Sequence, residues 1–194
     1  MSFSSKTNTN ISIRHYSPSD EPSWLRCRVL SFLGSSYFDD VKTAKTSFVN
    51  PALELVAVDT QTGSQVLGLL DLEIFTELAT IDTIAVHPDY ARHGIATALW
   101  QRAIELLPDS VQEIDAWTRE DEPANRWYRQ QGFEVDTEYL HVYYQGEAAG
   151  ERISTPPGLR LRAGFLHAEL HHEPQLREEF NRVHHCRRYL RRSF

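Results

Sequence analysis

The sequence predicts an α+β fold, with a mixed, mostly antiparallel, twisted sheet of about seven strands flanked by helices and an extra C-terminal helix. Isoleucine, threonine and valine crowd residues 81–86, as a partly buried strand prefers. After Gly94 the apolar residues recur at helical spacing, which predicts a helix that packs broadly against a sheet. The elements follow one another in the order β-α-α-β-β-β-α-β-α-β, which is typical of an α+β arrangement.

The individual elements are predicted from periodicity and from turn residues, and residues 1–10 are expected to be disordered. The predicted strands are residues 11–16, 53–58, 66–74, 79–87, 113–118, 133–144 and 159–170. The predicted helices are one with its apolar face at residues 24–32, a short one around 40–48, and those at 94–107, 122–131 and 173–191. We expect the strand–helix–strand unit at residues 81–118 to be a right-handed parallel crossover.

Length and composition are those of a soluble globular protein. With 194 residues, 41% of them hydrophobic and 24% charged, the chain suits one domain with an appended element. Cys27 and Cys186 lie far apart in the sequence; a disulfide between them stays open, but reduced thiols are expected. The N-terminus lacks the apolar core of a signal peptide, and no apolar run approaches the ~20 residues that span a bilayer. We therefore expect a cytoplasmic protein with no membrane partner.

The charge pattern limits the possible partners. A net charge of −7 argues against a general nucleic-acid binder. Positive charge gathers only in residues 174–194, which carry six arginines and two glutamates. Several histidines and a cysteine lie in or near this tail, but their spacing matches no zinc pattern, so no metal site is expected. These residues are His167, His171, His172, His184, His185 and Cys186.

The turn between residues 81–86 and the next helix carries the features of an anion site. Pro88 should end the strand, because proline cannot donate to a sheet ladder. The helix start at Gly94 presents unpaired N–H groups and a partial positive charge, which suit a phosphate or pyrophosphate. Arg92 and His93 add further donors. The sequence lacks both the G-x-x-x-x-G-K-[ST] and the G-x-G-x-x-G phosphate motifs.

This stretch resembles the GNAT superfamily of N-acetyltransferases. The resemblance lies in Val86-His87-Pro88-Asp89-Tyr90 followed by Arg92-His93-Gly94-Ile95-Ala96-Thr97-Ala98-Leu99. In that family the loop wraps the pyrophosphate of coenzyme A, usually as [Q/R]-x-x-G-x-[G/A]. Here Ala91 stands at the first position, where Arg92 next to it can substitute, while the Gly94-x-Ala96 half is intact.

A second block, at residues 121–133, resembles the pattern N-x-x-A-x-x-x-Y-x-x-x-G-F of the same family. The residues in register with the pattern are Ala124, Tyr128, Gly132 and Phe133. Asp121 stands where asparagine is usual, and Asn125 is a nearby amide that could contact the cofactor instead. An alternative interpretation is that the aromatic residues of this block have only a structural role and belong to the core. The two partial motifs together are more specific than either alone, and the resemblance covers residues 11–144.

The resemblance implies acetyl transfer from acetyl-CoA to the amine of a small molecule or peptide, without a metal. Tyr128 would be the general acid, pointing into a gap between strands 81–86 and 113–118 that holds the pantetheine. Asp82 would be the base, with Glu73, Asp71 or a water chain as alternatives. The cofactor-binding residues would be Ile84, Ala85, Val86, Arg92, His93, Gly94, Ile95, Ala96, Thr97 and Asn125.

The domain organisation follows from these predictions. Residues 11–172 would form the GNAT acetyltransferase domain, and residues 173–194 a basic helix packed on it. The irregular segment 34–51 is the expected wall of the acceptor site. Two other functions stay open: a non-catalytic acyl-CoA-binding regulatory module, and an interaction protein that uses the basic tail on nucleic acid or ribosomes. A homodimer also stays open.

Overall fold

The structure is a computed structural model that describes residues 11–61, 65–145, 154–159, 161–192 and 194. Residues 1–10, for which disorder is expected from the sequence, lie outside the described residues. No helix in the described segments is long and apolar enough to cross a membrane. Cys27 and Cys186 are both buried, free thiols, as expected, and burial raises their pKa values to about 12 and about 11.

The fold is mixed α+β, and the strands are mostly antiparallel, as predicted. The described strands are β1 (Ile11–His15), β2 (Ala52–Asp59), β3 (Val66–Phe75), β4 (Leu78–Val86), β5 (Glu113–Thr118), β6 (Glu134–Gln145), β7 (Ala163–Ala168) and β8 (Val183–Arg191). The described α-helices are α1 (Glu21–Leu33), α2 (Ile95–Leu106), α3 (Glu122–Gln130) and α4 (Glu173–Glu179). Short 3-10 turns precede α1, α2 and α4. The chain forms two compact units, divided between Ala116 and Trp117.

The first unit contains the residues up to Ala116 together with Arg191–Phe194. Its strands lie in the order β1-β2-β3-β4-β5; β1 to β4 pair antiparallel, and β4 pairs parallel with the start of β5. The parallel strands on either side of α2 agree with the crossover predicted from the sequence. Trp24 and Cys27 of α1 are fully buried in a cluster with apolar side chains of β2, β3 and β4. This packing of α1 on the sheet fixes the strands that carry the candidate site.

The second unit, Trp117–Leu190, contains α3, α4 and the antiparallel strands β8, β6 and β7 in that order. Leu140, Val142 and Val183 form its buried cluster, and Leu176 and Phe180 of the α4 region pack against it. The turn predicted at residues 156–158 is present: Leu159 N donates to Pro156 O at 3.1 Å.

The prediction of a helix at residues 173–191 is right only for its first part. Helix α4 ends at Glu179, and residues 183–191 form β8, which pairs antiparallel with β6. Arg187 and Arg188 face Glu138 and Thr137 across this ladder, and their side chains pair with Glu138 at 2.8 Å and Asp136 at 3.0 Å. The spacing of the apolar residues favours a helix locally, but pairing with a distant strand satisfies both the backbone and these charges. The sheet therefore gains an eighth strand in place of the extra C-terminal helix.

The prediction of a short helix around residues 40–48 is wrong. That segment is irregular in the structure. Asp40 accepts two bonds from the buried Arg28 of α1, one to its carbonyl and one to its carboxylate. Lys42 and Lys45 reach carboxylates of the sheet. These tertiary contacts outweigh the weak helix propensity of the segment.

Candidate functional site

Strand β4 has an open edge in its second half. Its parallel register with β5 runs from Leu78 to Ile81. Among the described strands, the rest of β4, up to Val86, pairs only with β3. A strand edge presents a row of main-chain N–H and C=O groups, to which an extended ligand can bind as an added strand. Ile84, Ala85 and Val86, three of the predicted cofactor-binding residues, lie on this stretch.

Asp82 is the extra residue of a β-bulge at the start of this stretch. The register with β3 passes from Leu72↔Ile81 to Asp71↔Thr83, so Asp82 has no counterpart on β3. Bulges commonly redirect a side chain beside a functional site. Asp82 Oδ2 accepts a hydrogen bond from Thr83 Oγ1 at 2.9 Å and lies 3.3 Å from the ammonium of Lys42. The Asp82 side chain is partly exposed, so its carboxylate is accessible from solvent.

Helix α1 holds the end of β4 in place. Ser31 Oγ donates to Val86 O at 2.7 Å and also lies 2.7 Å from Cys27 O in its own helix. The next residue of the chain, His87, is bonded through its N–H to Leu67 O of β3 at 2.8 Å. The loop that follows β4 therefore starts from a fixed point.

The turn that opens α2 has the backbone geometry of a ligand-binding loop. Gly94 is the N-cap of α2 and has a φ of 79°, and Arg92 has a φ of 63°. Positive φ is adopted readily by glycine and is uncommon for other residues, so the strain at Arg92 marks this turn. A Cβ built at Gly94 meets no atom within 4 Å. The main chain at Gly94 is therefore open to the close approach of a ligand on this side.

The predicted cofactor-binding residues of this turn lie together along it. Arg92, His93 and Gly94 are exposed, Ile95 is buried against the sheet, and Ala96 and Thr97 are half-buried in the first turn of α2. His93 Nδ1 donates to Tyr90 O at 3.2 Å, which fixes its ring on the loop. Gly68 of β3 explains how α2 comes so close to the sheet: a Cβ there would lie 2.6 Å from Ile95. The sequence reasoning missed this role of Gly68; the only signal was a glycine inside a strand pattern.

Two carboxylates next to Asp82 on the same sheet are occupied by side chains of the segment that follows α1. Asp71 is completely buried, and Lys45 Nζ lies 2.9 Å from its Oδ2. Burial raises the pKa of Asp71 to about 7, and the charge of Lys45 only partly opposes this. Glu73 Oε1 accepts hydrogen bonds from the main-chain N–H and the amide of Asn50, at 3.2 and 2.9 Å.

Lys45 is held in a cage of charges and aromatic rings. It pairs with Asp71 and Glu54, and its ammonium lies 5.0 to 5.3 Å from the ring centroids of three aromatic residues. Those residues are Tyr16, Trp24 and Phe48. Burial alone would lower the pKa of Lys45, but the neighbouring carboxylates outweigh it and raise that pKa. Lys45 is therefore a charged anchor of its segment.

A cavity of about 400 Å³ opens beside this anchor. Its walls include Tyr16, Lys45, Thr46, Phe48 and Glu54. Thr46 Oγ1 also accepts a hydrogen bond from Lys42 at 2.6 Å and lies 3.5 Å from Asp82 Oδ2. The cavity thus adjoins the surroundings of Asp82, although none of the predicted site residues lines it.

In the second unit, α3 holds Tyr128 among aromatic rings. Asp121 caps the helix by accepting a hydrogen bond from Ala124 N at 3.0 Å, as the sequence predicts. The ring of Tyr128 makes edge contacts with Trp127 and Phe133, at centroid distances of 5.1 and 5.3 Å. It is only 5% exposed. The aromatic residues of this block therefore pack together as core residues, which is the structural interpretation given above.

Tyr189 of β8 is a residue that the sequence reasoning missed. Its ring stacks on that of Tyr128 at 5.2 Å, and its hydroxyl donates to Asn125 Oδ1 at 2.8 Å. The amide of Asn125 donates to the carbonyls of Arg119 and Asp121 at 2.8 and 2.7 Å. Asn125 is 2% exposed, and these contacts give it a structural role at the start of α3. Burial raises the pKa of Tyr189, so its phenol stays protonated.

Comparison of the sequence with models of known protein families identifies the family of this chain. The model of the acetyltransferase (GNAT) family matches residues 14–133. The chain belongs to the acetyltransferase (GNAT) family. No curated protein matches the chain in sequence.

Solved structures of GNAT N-acetyltransferases have the same fold. The ribosomal-protein-S18-alanine N-acetyltransferase of Escherichia coli has a TM-score of 0.57 and 16% identity, over 95% of this chain and 95% of that one. NAA60 of Arabidopsis thaliana, in complex with acetyl-CoA, has a TM-score of 0.55 and 14% identity, over 93% and 98%. PaiA of Thermoplasma acidophilum, in complex with coenzyme A, has a TM-score of 0.54 and 17% identity, over 65% and 91%. At these identities the likeness concerns the fold.

Membership of the GNAT family accounts for the fold. The members of this family are transferases that use acetyl-CoA. The bulge in β4, the open edge beyond it and the turn before α2 lie in one continuous stretch of the first unit. Tyr128 and Asn125 belong to the second unit. In the part of the chain that the structure describes, no group of three or more histidine, cysteine or acidic side chains could hold a metal ion.

Proposed function

We propose that this GNAT protein is an N-acetyltransferase that moves an acetyl group from acetyl-CoA to a primary amine by direct attack. The observation that carries the proposal is the continuous stretch of β4 and α2, in which an open strand edge is followed by a helix whose N-cap, Gly94, has open space beside it. The strand edge suits the amide groups of pantetheine, and the helix start suits a diphosphate. We assign the cofactor to the main chain of Ile84, Ala85 and Val86 and to the turn at residues 92–97.

The base that we propose is Asp82. A primary alkyl amine, with a pKa near ~10.4, is mostly protonated at neutral pH and must lose a proton before it attacks. Three carboxylates stand close together in this part of the sheet, but Asp71 is completely buried and Glu73 is bonded twice to Asn50. Asp82 is accessible and already holds an ammonium, that of Lys42, at 3.3 Å. Its surroundings therefore favour Asp82 over the two alternatives.

The general acid that we propose is Tyr128. The thiolate of coenzyme A leaves more readily when an acid protonates it, and a tyrosine hydroxyl can do so. The rings around Tyr128 restrict its rotamers, and a fixed hydroxyl is what proton transfer requires. Attack of the neutral amine on the thioester carbonyl then forms the C–N bond and breaks the C–S bond, and the second proton lost by the amine nitrogen replaces the one that Tyr128 gives to the thiolate. Main-chain N–H groups of the open edge of β4 would stabilise the oxyanion.

The acceptor that we propose is a cationic small-molecule or peptide amine. It would approach along the segment 34–51, which lines much of the cavity beside Lys45 and places Thr46 Oγ1 of the cavity wall 3.5 Å from Asp82 Oδ2. The carboxylates around this segment suit a positive charge. We also propose a cytoplasmic location, which rests only on the sequence features described above, namely the polar N-terminus and the lack of a long apolar run.

Release of free thiol from acetyl-CoA in the presence of a panel of amines, polyamines and peptides tests this function. We expect turnover with at least one cationic amine, and we expect Asp82→Asn to lower kcat by about 10²-fold, because the variant cannot accept the proton. Binding of acetyl-CoA without turnover of any amine would instead favour the non-catalytic acyl-CoA-binding module, to which the change at Ala91 also points. Arg187, Arg188 and Arg192 pair with carboxylates, and this pairing does not support the third alternative, a basic tail that binds nucleic acid.

A further inference from the structure

The contact between Lys42 and Asp82 places a lysine amine where the proposed mechanism needs its acceptor. Lys42 Nζ lies 3.3 Å from Asp82 Oδ2, within reach for the transfer of a proton from a nucleophile to its base. Thr46 Oγ1 accepts a further hydrogen bond from the same ammonium at 2.6 Å. The Lys42 side chain is 27% exposed, so its amine is not sealed in the core.

Two anchors keep Lys42 close to β4. Before it, the buried Arg28 binds the carbonyl and the carboxylate of Asp40, at 2.7 and 2.6 Å. After it, Lys45 is fixed by Asp71 and by a bond from its main-chain N–H to Glu21 Oε1 at 2.9 Å. Lys42 therefore lies two residues after one anchor and three residues before the other. A tethered amine of this kind has an effective concentration on the order of millimolar or more.

The lysines of the chain are few. It has three lysines against seventeen arginines, and two of the three, Lys42 and Lys45, lie in this one segment. Lys45 is 4% exposed and pairs with two carboxylates, so its amine is not available as a nucleophile. Lys6 lies outside the described residues. Of the two described lysines, Lys42 is therefore the one whose amine can react.

We propose that Lys42 is a site of self-acetylation, at which the protein transfers the acetyl group of acetyl-CoA to its own Lys42 amine. This inference rests on the proposed function. Asp82 takes one proton from the Lys42 ammonium, and the neutral amine attacks the thioester carbonyl. The C–N bond forms, the C–S bond breaks, and the second amine proton passes to the departing thiolate by way of the general acid. The products are acetyl-Lys42 and free coenzyme A, and Asp82 returns its proton to solvent.

Self-acetylation changes the site that carries it out. The amide of acetyl-lysine has no positive charge, so the ion pair with Asp82 is lost. Asp82 is then released to serve an external amine. In the unmodified chain the ammonium of Lys42 covers Asp82, whereas in the acetylated chain the Asp82 carboxylate itself faces the acceptor.

The test is mass spectrometry of the full chain after incubation with trideuterated acetyl-CoA and no added amine. We expect one label on Lys42, none on Lys45, and a first-order rate constant that does not change with protein concentration. Lys42→Arg should remove this label. Asp82→Asn should slow labelling of Lys42 by about 10²-fold, because the base is lost. Lys6→Arg is the matched control and should leave the labelling of Lys42 unchanged.

Two results overturn the inference while the proposed function survives. One is turnover of an added amine with Lys42 unlabelled. The other is labelling of Lys42 at the same rate in Asp82→Asn, or at a rate that rises with protein concentration, which indicates chemical or intermolecular acetylation. If neither Lys42 nor any amine of the panel accepts the acetyl group, both the inference and the proposed function fail.

Discussion

Three carboxylates on β3 and β4 differ in what surrounds each side chain. Glu73 is bonded to Asn50, Asp71 is buried against Lys45, and Asp82 lies on a bulge at an accessible edge. A buried carboxylate is costly to ionise, whereas an accessible one is not. Burial and hydrogen bonding, rather than residue type, therefore decide which carboxylate is available to take up a proton.

The raised pKa of Asp71 predicts a pH dependence of stability. The carboxyl has a pKa of about 7 in the folded chain against 3.8 as a reference, so between these values the folded state holds a proton that the unfolded state has lost. Because the unfolded state binds fewer protons in this range, raising the pH favours unfolding. Compared with Asp71→Asn, the wild type should therefore lose about 1 kcal/mol of unfolding free energy per pH unit from about pH 4 to about pH 7.

Urea denaturation at a series of pH values measures this difference. Asp109→Asn, at an exposed position, controls for the loss of one carboxylate. Parallel curves for the wild type and Asp71→Asn would show that Asp71 is ionised throughout this range.

The proposed role of Tyr128 is tested by removing its hydroxyl alone. Tyr128→Phe should lower kcat by about 10²-fold or more and leave the Kd of acetyl-CoA nearly unchanged, because the acid acts on the leaving group. Steady-state kinetics with calorimetry separates the two quantities. Tyr144→Phe is the matched control: Tyr144 is also buried in the second unit, and its hydroxyl has no hydrogen-bond partner among the described residues. Equal losses of turnover and cofactor affinity in Tyr128→Phe would make Tyr128 a structural residue.

At the scale of elements, the start of α2 depends on two glycines with different roles. Gly68 lets the helix approach β3, because a Cβ there would collide with Ile95. Gly94 supplies the positive φ with which the chain turns into the helix. Together they set where the first N–H groups of α2 lie, and those groups form the proposed diphosphate site.

Gly94→Ala should weaken both the fold and cofactor binding. A non-glycine residue at φ 79° costs about 1 kcal/mol, even though a Cβ there meets no atom within 4 Å. The strain should shift the turn and raise the Kd of coenzyme A by about 10-fold, equivalent to ~1.4 kcal/mol. Thermal denaturation and calorimetry measure the two effects.

Gly158→Ala offers a matched control for the substitution of Gly94. Gly158 has a φ of 82° and is also open, but it lies in a turn of the second unit. It should show a similar loss of stability with an unchanged Kd. A Gly94→Ala variant that binds coenzyme A normally would remove the turn from the proposed site.

At the scale of the whole molecule, arginines of the C-terminal segment pair with carboxylates that are distant in the sequence. Arg187 and Arg188 of the C-terminal segment pair with carboxylates of β6, and Arg192 pairs with Glu113 at 2.9 Å. Three of the six arginines of residues 174–194, namely Arg187, Arg188 and Arg191, thus lie on a strand of the sheet.

Binding of acetyl-CoA should stabilise the whole molecule. A ligand that binds only the folded state at 100 times its Kd adds about 2.7 kcal/mol, which for a chain of this size raises the melting temperature by roughly 5–10 °C. Differential scanning fluorimetry with millimolar acetyl-CoA measures the shift, with adenosine as a control that lacks the pyrophosphate. No shift at that concentration would exclude both the acetyltransferase and the acyl-CoA-binding module.

The sequence by itself determined the elements whose signals are local. The strand at residues 81–86, the turn at Gly94 and the capped helix after Asp121 are set by β-branched residues, glycine and a capping carboxylate. These elements include the two family motifs, and so the fold class and the family could be recognised from the sequence. The roles of Asp82 and Tyr128, and the cofactor-binding residues, are still predictions.

Only the tertiary structure decided the features that depend on residues far apart in the chain. The second half of the predicted C-terminal helix is a strand because β6 offers it a ladder and opposite charges. The segment around Lys42 and Lys45 is irregular because sheet carboxylates hold its lysines. Tyr189 joins the surroundings of Tyr128 across 61 residues of sequence. The physical reason is common to all three: long-range pairing and burial contribute more free energy than local propensity does.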